Sequence, residues 1–222
     1  MKTISQVVDE LISESPFLEE ALSEELINIS SLARRLQPAI EARLYKEVKP
    51  GAIVMAIKRR PTTSYIRISR KINEFMENLG DIIVRSELSD YTFENSLSLN
   101  HCNSSLIDEI SDEKDVLCAI SQGIFETTLV VSSVISKKIE RIFIDEKMLS
   151  KKDNLSSVSL RLPASNTEIS GIYYFFLKNL AWAGINVCEV ISTSNEITFV
   201  VDYKDVDKAF SVLMSLKKKP AL

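Results

Sequence analysis

The residues of this 222-residue chain that could do chemistry are few. His101 is the single histidine, and the cysteines are Cys102, Cys118 and Cys188. A structural zinc site needs four Cys or His ligands, usually in closely spaced pairs, and His101-Cys102 has no second pair to complete it. One histidine also leaves no Ser-His-Asp or Cys-His set at workable spacing, and five scattered glycines form no phosphate-binding loop. We therefore expect no catalytic residues, no metal and no cofactor. Cys118 and Cys188 sit in apolar runs, where cysteine behaves as a small hydrophobe, so reduced thiols are expected. The chemistry on offer is electrostatic. Through Ser31 there are seven acidic residues to one basic, whereas Leu32 to Lys71 carries eleven basic to two acidic. Arg34, Arg35, Lys58, Arg59 and Arg60 in that block are candidate nucleic-acid contacts, since Lys and Arg neutralise phosphates. The competing reading, which we favour, pairs the block with the acidic helices before it. The run Ala52-Ile-Val-Met-Ala-Ile57 is built for burial, not for reading bases.

The elements that must position these residues follow from periodicity. Ile4, Val7, Val8, Leu11 and Ile12 fall on one helical face, Pro16 interrupts, and Phe17, Leu18, Ala21, Leu22 and Leu26 resume. Asn28 to Ser31 offers caps for a helix with Leu32, Ala33 and Leu36, and Pro38 suits the first turn of another bearing Ile40, Leu44 and Val48. Lys49-Pro50-Gly51 reads as a turn, Ala52 to Arg60 as a helix stopped by Pro61, and Ile66 to Leu79 as a helix closed by Gly80. Residues 1–80 are thus expected to form an all-helical domain.

Beyond Gly80 the texture becomes β-branched and aromatic. Strands are predicted at Asp81 to Arg85 and Tyr91 to Asn95, and a short helix at Ser104 to Ile110. A hairpin follows over Asp115 to Ser121 and Ile124 to Val131, with Ser133 capping a helix. Alternation at Val158, Leu160 and Leu162 marks another strand. Ser165-Asn166-Thr167 would cap a helix running to Ala183, ended by Gly184. Ile185 to Ile191 and Ile197 to Val201 are strands, and Asp202-Tyr-Lys-Asp205 opens the last helix. Hairpin-then-helix occurs twice, so we read a degenerate internal repeat, 81–150 and 151–222. The second copy lacks a closing strand after Lys217-Lys-Lys-Pro220, and Asp81 to Leu88 is expected to cross over and fill that edge.

Composition, 45% hydrophobic and 26% charged, is that of a globular protein. No stretch approaches a membrane span and no basic-then-apolar leader is present, so a cytoplasmic location is expected.

Several runs carry a resemblance: Ser170-Gly171-Ile172, Leu180-Ala181, Ile185-Asn186-Val187, Val190-Ile-Ser-Thr-Ser194 and Glu196-Ile-Thr-Phe-Val-Val-Asp202. Residues 156–216 resemble an ACT domain, most closely the regulatory region of aspartate kinases, without the kinase catalytic domain. The resemblance implies ferredoxin-like βαββαβ modules in tandem, the first degenerate, so that with the N-terminal helical domain read above the expected fold is α+β. It implies modules that bind a small amino acid where they meet, dimerise, or do both; with no catalytic motif and only residues 1–80 ahead of them, we expect a non-enzyme that regulates through the helical domain. Carried over, Asn166, Thr167, Ser170 and Gly171 would meet the carboxylate, with Glu189, Thr193 and Ser194 opposite. The family's turn places an acid directly after Thr-Ser, whereas here Asn195 intervenes before Glu196. Asn166, Thr167 and the 193–195 turn serve equally as a helix cap and a hairpin closure. Other readings stay open: an interaction module without ligand, a stand-alone aspartate-kinase-like regulatory subunit, and an amino-acid-responsive DNA-binding regulator. The last draws on Ile29-Ser-Ser-Leu-Ala-Arg-Arg-Leu36, which looks like the first helix of a helix-turn-helix unit.

Overall fold

The computed structural model describes residues 2–60 and 63–218, with the side chains at 16, 63–67, 167 and 218 left aside. The chain divides into two compact units, Met1–Ile72 and Asn73 onward, and the division falls within helix α5. The expected helix stop at Pro61 and the polar tail around Pro220 lie outside the described residues.

The first unit is helical, as expected. Helix α1 (Ile4–Ser13) opens on a capping box, with the Gln6 amide donating to Thr3 Oγ1 (3.2 Å) and the Thr3 amide to Gln6 Oε1 (2.8 Å). Helix α2 (Pro16–Ser23) uses Pro16 at its first position, where the missing N–H costs nothing. Asn28 caps α3 (Ile29–Leu44) through Ser31 N (3.0 Å). Where two helices were expected there is one, running straight through Pro38. Leu32, Ala33, Ile40 and Leu44 form a single buried stripe, and burying it offsets the hydrogen bond that proline removes. The expected Lys49-Pro50-Gly51 turn is instead the start of α4 (Pro50–Arg59), with Lys49 as its N-cap. Glu41 closes the α3–α4 corner: its Oε1 accepts from Gln37 Nε2 and Val48 N, both at 3.0 Å. Val7, Val8 and Ile12 of α1 complete the core against Ile53 and Ile57 of α4.

Helix α5 (Thr63–Glu77) precedes a six-stranded sheet of order β2-β3-β1-β4-β6-β5, with every neighbour antiparallel. The elements are β1 (Ile82–Glu94), α6 (Leu99–Ile110), β2 (Cys118–Gln122), β3 (Glu126–Ser132), α7 (Ser136–Ile142), β4 (Met148–Arg161), α8 (Ile172–Trp182), β5 (Val187–Thr193), β6 (Glu196–Asp202) and α9 (Val206–Lys218). Strand-helix-hairpin-helix therefore occurs twice.

Four expectations need correction. The separate strands at 81–85 and 91–95 are one strand, β1, and the strand expected near Ser157 begins at Met148. Each long strand is bent at a residue of positive φ, Glu87 (57°) and Asn154 (57°), where the pairing register shifts. Before its bend β1 pairs Ile82 to Arg85 with Leu160 to Ser157; after it, Leu88 to Phe93 pair with Leu155 to Met148. Each half thus takes its fourth strand from the other, and the crossover expected for Asp81 to Leu88 is present. Gly80 is not a left-handed cap. A Cβ there would lie 2.9 Å from Arg161 Cβ and 3.1 Å from Arg161 O, so glycine is needed for close approach. Ser133 does not cap a helix; its hydroxyl bonds that of Ser89 (2.9 Å) and a 3-10 turn leads into α7. Gly184, at φ 71°, does end α8 as expected.

One face of the sheet packs on helices: Tyr91, Phe93, Leu129 and Val131 meet Leu99 and Leu106 of α6 and Ile139 of α7. The alternate residues Leu88, Val130, Leu155 and Val200 cluster on the other face without a helical partner in their group.

Candidate functional site

In the second half of the sheet unit, the chain leaving β4 turns past the β5–β6 hairpin before entering α8. Leu162 N donates to Asn195 O (2.8 Å) and Asn166 Nδ2 to Ser194 O (3.4 Å). Asn166 is buried, so this amide is committed to the hairpin and not to a helix cap. The expected helix from Ser165 is accordingly delayed: residues 164–168 form a 3-10 turn and α8 starts at Ile172. Gly171 precedes it at φ 90°, a conformation glycine adopts without strain, and as the N-cap residue it offers the helix no side chain. The loop 162–171 and the turn 193–195 are thus adjacent, with Ser170, Thr193 and Ser194 exposed. The Thr167 side chain lies outside the described residues.

Glu189 is not part of this group. It sits opposite Val200, four residues from Thr193, roughly 13 Å along an extended strand. Its surroundings are Asp90 and Lys152 on the helix-free face. Burial raises its carboxyl pKa, and the nearby Asp90 carboxylate adds to the rise. Asp90, only 2% exposed, is raised by burial and lowered by Lys152.

The sequence reading missed the neighbours of Thr193 on that same face. Asp81, Ile83, Ser159, Arg161, Asn195 and Glu196 line, with Thr193, a cavity of about 300 Å³. Ser159 and Thr198 hydroxyls are 2.6 Å apart, and Thr198 donates to Glu196 Oε1 at 3.2 Å. The expected crossover of Asp81 to Leu88 brings β1 to this half, but the spacing of Asp81 and Arg161 in sequence gives no hint that they line a cavity with Thr193. The Tyr173 hydroxyl bonds Ser192 Oγ (2.6 Å), tying α8 to β5.

In the helical unit, Arg34, Arg35, Lys58 and Arg59 are exposed, and Arg34 bonds Ser31 Oγ (3.1 Å). Arg60 is held by Asp9 (3.1 Å) and Glu19 (3.4 Å), and Arg43 by Glu14 (2.9 Å). These are the pairings with the acidic first helices that the charge distribution suggests. Ile53, Ala56 and Ile57 of α4 are buried. The three cysteines are free thiols, and burial raises the pKa of each. Among the described residues no cluster of three His, Cys, Asp or Glu side chains can hold a metal, and no helix is long and apolar enough to cross a membrane.

No family model matches the sequence, and no curated protein matches it. Solved structures do. The aspartokinase alpha and beta subunits match over 64% of this chain and 99% of theirs, at 14% identity and a TM-score of 0.52. The ligand-free regulatory subunit of aspartate kinase from Thermus thermophilus matches over 62% of this chain and 97% of its own, at 9% identity and a TM-score of 0.50. Aspartate kinase from Clostridium acetobutylicum matches over 62% of this chain but only 34% of its own, at 16% identity and a TM-score of 0.50. The sheet unit of this protein therefore has the fold of the ACT-containing regulatory region of aspartate kinases.

Proposed function

We propose that the unit from Asn73 onward is a non-catalytic regulatory module of two ferredoxin-like ACT copies, in which the second copy binds a small amino acid and the chain pairs with a second copy of itself. The observation that carries this reading is the approach of the loop leading into α8 to the 193–195 turn, fixed by the Leu162–Asn195 and Asn166–Ser194 bonds. Free N–H groups at a helix start favour a carboxylate. Ser170, Gly171 and the backbone at Asn166 and Thr167 take that end, while the carbonyls and hydroxyls of Thr193 and Ser194 take the ammonium. Glu189 serves the sheet face instead.

A thermal-shift panel of the common amino acids at millimolar concentration tests the proposal. One or a few should raise the melting temperature, because a ligand at one hundred times its Kd adds about 2.7 kcal/mol to stability. A flat panel rejects ligand binding and leaves the second reading, an interaction module without ligand. Exposed Tyr173, Tyr174, Leu177 and Trp182 on α8, with Val190 on the edge strand β5, favour that alternative.

A further inference from the structure

The helical unit carries a cavity of about 450 Å³ where the loop after α2 turns into α3. Its floor is aliphatic: Leu18 of α2, Ile27 of the loop, and Leu32 and Leu36 one turn apart on α3. Leu32 is buried and the other three are half-buried, so the floor keeps apolar surface that a ligand can cover.

The polar residues of the lining can all donate. Arg34 Nη2 donates to Ser31 Oγ (3.1 Å), so that hydroxyl keeps its own proton to give. Asn28 Oδ1 accepts from Ser31 N (3.0 Å), which leaves the amide NH2 of Asn28 as the group on offer. Ser15 adds a hydroxyl and Arg35 a guanidinium, and no Asp or Glu lines the cavity.

Arg35 is exposed and has no acid beside it. The residues one turn away on α3 are Ser31, Leu32, Pro38 and Ala39, so no carboxylate reaches it along the helix. Among the described residues no hydrogen bond or ion pair ties its guanidinium to an acid. Arg43 and Arg60, by contrast, are held by Glu14, Asp9 and Glu19. The cavity of about 490 Å³ that shares Ile27 sets Lys58 and Arg60 with Glu25, and the cavity of the sheet unit sets Arg161 with Asp81 and Glu196. The α2–α3 cavity joins an apolar floor to a cation without a counter-charge.

We infer that this cavity is a binding site for a small apolar carboxylate: an acyl chain of several carbons lies on the aliphatic floor, and its carboxylate takes Arg35 with the Ser31 and Asn28 donors. A free amino acid is disfavoured, because its ammonium would meet donors only. The site therefore differs in chemistry from the one proposed beside α8 and does not rest on it.

The test is NMR of the full chain labelled at leucine and isoleucine methyls and titrated with sodium octanoate. The methyls of Leu18, Ile27, Leu32 and Leu36 should shift together and saturate in the millimolar range. Affinity should rise about threefold to fourfold for each methylene from butyrate through hexanoate to octanoate. Octylamine, with the same chain and the opposite charge, should bind about tenfold more weakly or worse. Arg35→Gln, at an exposed position, should weaken octanoate about tenfold and erase its advantage over octylamine. Leu36→Trp, which fills the cavity and alters no charge, should abolish the shifts; if that variant does not fold, Arg35→Gln decides alone. Equal binding of octanoate and octylamine, an affinity indifferent to chain length, or an Arg35→Gln titration like that of the wild type overturns the assignment, as does a lack of saturable shifts. Methyls that move with protein concentration and not with octanoate would mean that a second copy covers the groove, and the assignment falls in that case too.

Discussion

At the scale of single residues, Thr193 and Ser194 are exposed at the hairpin that Asn166 grips. Replacing both, Thr193→Ala with Ser194→Ala, should weaken the amino-acid response roughly tenfold or more, since a hydrogen bond to a charged group is worth about 1.5–3 kcal/mol. Dimerisation should be untouched. An unchanged titration would place the ligand elsewhere. Glu41 supports a pH prediction. Hydrogen bonds from Val48 N and Gln37 lower its pKa below the ordinary carboxylate value. A depressed pKa contributes stability that is present above the unfolded-state pKa, near ~4.3, and is lost as pH falls through the lower folded value. Melting curves of Glu41→Gln and wild type should therefore lie apart at neutral pH and converge in acid; parallel curves would show that the corner does not depend on the charge. Arg60 was a candidate phosphate contact on charge alone, but Asp9 and Glu19 now account for it.

At the scale of elements, the paired bends in β1 and β4 let each strand serve two halves of the sheet. Glu87 and Asn154 both hold positive φ, which costs an ordinary side chain on the order of 1 kcal/mol but asparagine less. Glu87→Gly should raise stability by roughly 0.5–1 kcal/mol, whereas Asn154→Gly should change it little. Urea melts would decide this, and a destabilised Glu87→Gly would mean that the exposed glutamate has a partner role. The elements that the sequence displayed well were helices with one apolar face, such as α1 and α4, and the short apolar run of β6. It failed at Met148 to Asn154, where Lys151-Lys-Asp-Asn154 has the texture of a loop. Those residues are strand because β1 offers a ladder beside them, and ladder hydrogen bonds do not depend on apolar side chains. The same limit applied to α3: nothing local says that a helix continues through Pro38, because the gain comes from packing Ile40 and Leu44 into the core.

At the scale of the molecule, the sheet ends in the unpaired edge strands β2 and β5. Beside β5, Trp182 is 78% exposed and Leu177 37%, an apolar margin that a second copy can cover. Sedimentation should show a dimer for the wild type and a monomer for Leu177→Glu combined with Trp182→Ala; a wild type that is monomeric at micromolar concentration rules out pairing through this edge. What the sequence determined by itself was the order of helices and hairpins, the change of texture near Gly80, the repeat, and the resemblance of residues 156–216 to an ACT domain. These are carried by periodicity and turn chemistry, which act over a few neighbouring residues. Only the tertiary structure decided that β4 begins at Met148 and lends that half to the first copy, that Asp81 and Arg161 share a cavity with Thr193, and that Glu189 stands apart from Thr193 and Ser194. It also decided that Glu146 accepts from Ser96 and Cys102 at the start of α6. Those are contacts between residues dozens of positions apart, and strand register and chain closure set them, which no local pattern encodes.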